Sequence, residues 1–192
     1  MILRAQYTRS VLNRKFLEDF FITSLDESAR YQNLNLPNFV KLYLVALLVG
    51  LAVSENNKKY DLSKKLFDLY IEASSSRNNF YRIEKLKSIG DISMIKLGFF
   101  PESISKKIVG PSYYRDMGTS AYYTVFQNNK KIVYRDLSDL YDLCIDVLHG
   151  VKNMANNDDI VELYEFWNVT DSRFAKRRLT QLGFTFNKRF LA

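Results

Sequence analysis

Apolar residues recur along this 192-residue chain at the three- and four-residue spacing of helices, and nowhere do they alternate as a half-buried strand requires. Residues that interrupt helices are few and unevenly placed: four of the seven glycines and two of the three prolines lie between Gly90 and Tyr123. The rest of the chain is therefore free to run as helix, and the expected fold is all-α, an irregular bundle of about eight helices. With 47% hydrophobic and 15% aromatic residues, an ordered core is well supplied.

Leu12, Phe16, Phe20 and Phe21 define the apolar face of a first helix, opposite Glu18 and Asp19. Pro37 opens a second element from Asn38 to Val53, apolar nearly all round with Lys41 its only charge, which reads as the central helix. Leu62, Leu66, Leu69, Tyr70 and Ala73 mark a third, with Lys64, Asp68 and Glu72 as its polar row, closed by the serines and asparagines from Ser74 to Asn79. A helix from Phe80 to Ile89, a short one after Gly90 and a turn opened by Pro101 follow, and Gly110-Pro111 punctuates again. From Val133 to Val151, one long helix has a greasy face built on Leu137, Tyr141, Cys144 and Leu148 and an acidic stripe of Asp136, Asp139, Asp142 and Asp146. After Asn156-Asn157 come a short helix from Ile160 to Trp167 and a basic helix capped by Ser172 and ended by Gly183. The expected organisation is a helical core over residues 1–155 and a basic helical hairpin over 156–192, packed on the core or appended to it.

Several function classes lack their raw material. One cysteine, Cys144, and one histidine, His149, leave no internal disulfide, no Cys/His zinc site and no di-iron bundle motif, which suits a reducing cytosol. No Walker loop, dinucleotide fingerprint, zinc-protease motif or nucleophile elbow is present, so no cofactor is expected. The first residues lack the apolar run of a signal peptide. The uncharged stretch from Leu42 to Val53 is well short of the roughly 20 residues that a membrane-spanning helix needs. His149 next to Gly150, with Asp146 one turn earlier on the polar side, has the outline of a carboxylate-held base; a solvated histidine at a helix end has the same outline.

Charge is concentrated at the ends, where Arg4, Arg9, Arg14, Lys15, Arg173, Lys176, Arg177, Arg178, Lys188 and Arg189 have no acidic residue among them. Either these ends meet an external polyanion or they fold back on acidic faces of the same chain. In the C-terminal hairpin, Arg173, Lys176, Arg177, Arg178 and Gln181 on a second short helix give a helix-turn-helix outline, the alternative site, with nucleic acid as its partner. The central segment supplies the other candidate. Asp91 beside Gly90 is a carboxylate at a crowded place, or the cap of a helix starting at Ile92. Phe99 and Phe100 are pocket walls or core anchors, and Tyr113, Tyr114 and Tyr122 are rings beside Gly118, where either a flat ligand or a neighbouring helix fits.

Gly90-Asp91, Gly98-Phe99-Phe100-Pro101, Tyr113-Tyr114, Met117-Gly118 and Ala121-Tyr122 together resemble the shared motif of a family of conserved, uncharacterised bacterial proteins. The likeness extends to the helix after Pro37 and to Tyr164, Trp167, Thr170, Ser172, Leu179 and Gly183, with Asp171 where glycine is expected. It implies an intracellular bacterial protein and brings no activity, cofactor or catalytic residue. The expected function is thus non-enzymatic binding of a protein or small ligand through Gly90–Tyr123, in a regulatory role and without membrane contact.

Overall fold

The computed structural model describes residues 2–53, 62–105, 109–153 and 160–183. The fold is all-α: ten helices and no strand among the described residues. They are α1 (Ile2–Gln32), α2 (Asn38–Ala52), α3 (Leu66–Ser75), α4 (Asn79–Phe99), α5 (Glu102–Ser105), α6 (Pro111–Asn129), α7 (Ile132–Asp139), α8 (Tyr141–Asn153), α9 (Ile160–Thr170) and α10 (Arg173–Gln181).

Punctuation works where it was expected. Pro37 occupies the position before α2, Gly110-Pro111 opens α6 with Pro111 in its first turn, and Ser172 Oγ accepts from the Ala175 N–H at 3.1 Å to cap α10. Asn78, read from the sequence only as closing α3, also caps α4, its Oδ1 taking the Tyr81 N–H at 3.2 Å. Asp171 links α9 to α10 in the left-handed region at φ 53°, a conformation that glycine adopts most easily and Asp tolerates better than most residues.

Four expectations need correction. Gly90 does not end a helix: α4 runs unbroken through it, and every residue from Ile89 to Gly98 is buried. Its low helix propensity is overridden by packing against α3, α6 and α8, which makes α4, rather than α2, the central helix. On α2, Phe39 and Leu42 face outward while Val40, Leu44, Val45, Leu47 and Leu48 enter the core. On α1, Phe16 and Phe20 are exposed and the buried stripe is rotated to Leu25, Ser28, Ala29 and Gln32, because α1 must fit between α2 and α8. The helix expected from Val133 to Val151 breaks at Leu140 into α7 and α8, with Leu137, Tyr141, Cys144 and Leu148 keeping the expected apolar face.

The C-terminal hairpin packs on the core. Phe166 of α9 is fully buried and stacks on the His149 ring of α8, with centroids 3.3 Å apart and planes 5° from parallel. Arg115 of α6 reaches Asp142 at 2.7 Å and also donates to the Thr170 carbonyl at the end of α9. Among the described residues no helix is long and apolar enough to cross a membrane, and no group of His, Cys, Asp and Glu could hold a metal ion.

Candidate functional site

The central segment forms a buried polar knot. Asp91, mid-helix on α4 and 2% exposed, takes the Tyr43 hydroxyl at 2.6 Å and the Tyr122 hydroxyl at 2.7 Å on the same carboxylate oxygen. Lys87, one turn earlier, lies 3.9 Å from the other oxygen and above the Tyr43 ring. Tyr134 of α7 completes a ring cluster with Tyr43 and Tyr122, all three centroid distances lying between 5.9 and 6.2 Å.

Two glycines make this knot possible. A methyl group at Gly90 would sit 2.6 Å from Tyr122 Cε1, and one at Gly118 would sit 2.1 Å from the Tyr141 hydroxyl. The space beside Gly118 is thus taken by Tyr141 of α8 and by Ser93, whose hydroxyl donates to the Tyr114 carbonyl. Burial, reinforced by the Asp91 charge, raises the Tyr43 and Tyr122 phenols well above their ordinary range, and burial lifts Tyr134 to about 12. At neutral pH these phenols stay protonated, and those of Tyr43 and Tyr122 donate to Asp91.

Of the residues singled out in this segment, the fold brings Asp91 and Tyr122 into contact and buries Tyr114 next to Ser93. Tyr113 is half-buried and packs edge-on to Tyr114, while Phe99 ends α4 two turns beyond Asp91 and Phe100 caps it, Phe99 half-buried and Phe100 exposed. Tyr43 and Tyr134 were not singled out from the sequence, and Tyr141 only as part of an apolar helix face, because single tyrosines in such helices carry no signal of a site. The Lys87-Asp91 spacing of one helical turn was the readable trace.

His149 is buried rather than on a polar face. Asn153 is 2.9 Å from its Nε2, and burial together with nearby Lys152 pushes its pKa down to about 3. The Asp146 carboxyl, pushed up to about 6 by burial, turns instead to the Ser172 hydroxyl. Cys144 is fully buried, which lifts its thiol to about 12.

A cleft of about 160 Å³ opens between the end of α1 and α10. Tyr31, Gln32 and Asn33 form one wall; Phe174, Arg177, Arg178 and Gln181 form the other. The Arg178 guanidinium lies 5.7 Å from the centre of the Tyr31 ring, which also meets Phe174 edge-on at 6.0 Å. Arg177, Arg178 and Gln181 of the alternative site therefore converge on a concavity, whereas Arg173 and Lys176 stand exposed on the outer face of α10. A second cleft of about 360 Å³ flanks the same end of α1, where Asp26 and Lys41 pair with each other. Lys188 and Arg189 lie outside the described residues.

Comparison with protein families, with characterised proteins and with solved structures returns no match.

Proposed function

We propose that this chain is a binding protein rather than a catalyst, and that its receptive element is α10, which meets the phosphates of a nucleic-acid strand. The observation that carries this reading is the placement of cations on a firmly held helix. Arg173, Lys176 and Arg177 are exposed, while Ala175 and Leu179 on the opposite side are buried. Two of the four carboxylates of the acidic stripe are met from α6 and α7, Asp142 by Arg115 and Asp136 by Arg135, while Asp146 feels the charge of Arg177 and turns to the Ser172 hydroxyl. The stacked His149-Phe166 pair and the Arg115 bridge to Thr170 hold the hairpin in place and present its outer face to solvent.

The absence of chemistry in this reading rests on the state of the reactive groups. The histidine is buried and neutral, the thiol is buried, and the clustered phenols are held protonated. The test is electrophoretic mobility shift of the full chain on a single-stranded oligonucleotide at low and moderate salt. Binding should weaken steeply as salt rises, and Arg173→Glu with Lys176→Glu should abolish it. Binding that ignores salt, or survives both reversals, refutes the reading.

A further inference from the structure

We propose that Tyr31 is a stacking platform for one unpaired base, so that the end of α1 and α10 together select single-stranded nucleic acid. This rests on the reading of α10 as a phosphate-binding helix and names the kind of strand that the helix takes.

Tyr31 is 58% exposed, although the next residue of α1, Gln32, is buried. The ring is held all the same. Phe174 meets it edge-on with centroids 6.0 Å apart, and the Arg178 guanidinium stands over it at 5.7 Å from its centre. These two contacts from α10 set the plane of the ring while more than half of the residue's surface stays open to solvent. A ring oriented in advance loses little freedom when a flat partner lands on it. Arg178 is used here within the protein, as the backing of the ring, so the charge that meets a strand comes from its neighbours.

Those neighbours lead to the ring. Arg173 and Arg177 lie one helical turn apart, both exposed, and Lys176 is exposed beside them. Arg177 also lines the cleft whose far wall begins at Tyr31, so the cationic row ends at the rim of that cleft. A strand laid along the row reaches the rim with its phosphates matched and brings a base beside the ring. Every base has a π face, so stacking on an aromatic side chain tolerates any sequence. In a duplex those faces are covered by neighbouring pairs, while the phosphates remain open to the same cations. Charge alone therefore holds both forms, and only the single strand gains the ring.

The test is fluorescence anisotropy with the full chain on three labelled probes of equal length: a single strand of thymidines, the same backbone with an abasic site in place of every base, and a duplex. The single strand should bind about tenfold tighter than the abasic backbone of equal charge, the order expected for one base stacked on an aromatic side chain. Tyr31→Leu, at an exposed position, should remove that advantage and leave duplex binding and the salt dependence unchanged, and Tyr31→Trp should keep it. Equal binding of the single strand and the abasic backbone overturns the platform but leaves α10 as a polyanion contact. A base preference that survives Tyr31→Leu, or a loss of equal size on all three probes, also overturns the platform. Failure of all three probes to bind overturns the α10 reading itself.

Discussion

Replacing Asp91 by Ala tests the physical claim on which the fold account rests most heavily. The substitution leaves the wholly buried Tyr122 hydroxyl and the largely buried Tyr43 hydroxyl without the acceptor they share at 2.7 and 2.6 Å. An orphaned buried polar group costs about 1–3 kcal/mol, and removing one member of a buried charged set costs about 3–5 kcal/mol, so the expected loss is about 3–5 kcal/mol. Asp91→Asn keeps an acceptor and forfeits only the charge assistance on two bonds, for about 2 kcal/mol. Urea unfolding followed by far-ultraviolet circular dichroism measures both. In a Tyr43→Phe/Tyr122→Phe background the cost of Asp91→Ala should fall by more than half, because no hydroxyl is left stranded. A loss below about 1 kcal/mol in the parent chain, or an equal loss in both backgrounds, refutes the reasoning.

Gly118→Ala should destabilise the protein by about 1–3 kcal/mol in the same assay, since its methyl group would land 2.1 Å from the Tyr141 hydroxyl and the ring has to shift. Acid should act through two opposed groups: His149 is held neutral down to about 3 against an ordinary 6.5, so the unfolded chain takes up a proton the folded one refuses and stability falls as pH drops below about 6.5. Asp146, raised from 3.8 to about 6, binds its proton more tightly when folded and offsets that loss as pH falls through 6, so Asp146→Asn should lose stability more steeply than the parent between pH 6 and 4.

The parts of this fold that were legible in the sequence are those set by local stereochemistry. Pro37, Gly110-Pro111 and Ser172 start helices because a ring, a missing side chain or a short oxygen-bearing one decides the matter within a few residues. What stayed hidden is set by partners distant in the chain. Gly90 reads locally as a break, yet its lack of a side chain is what admits Tyr122 from α6 and keeps α4 whole. The acidic neighbours of His149 place it on a polar face, but Phe166, seventeen residues later, covers the ring. Phe16 and Phe20 look like core and are not, because α2 and α8 meet α1 on another side. For the candidate sites, the basic residues of α10 were readable, while the Tyr31–Asn33 wall facing them depends on how the two ends of the chain meet.

The two candidate regions differ in what occupies the space their residues leave. In the central knot, the glycine gaps are filled by Tyr122 and Tyr141, the carboxylate is matched by two phenols and Lys87, and the polar groups largely satisfy one another. Such an arrangement fixes the relative positions of α2, α4, α6 and α7 and spends its specificity on the fold itself. Beneath α10, by contrast, a cleft of about 160 Å³ separates Arg177, Arg178 and Gln181 from Tyr31, Gln32 and Asn33. The knot ties the central helices together, and on that scaffold α1 and α10, far apart in the sequence, hold the two walls of the cleft at a set separation.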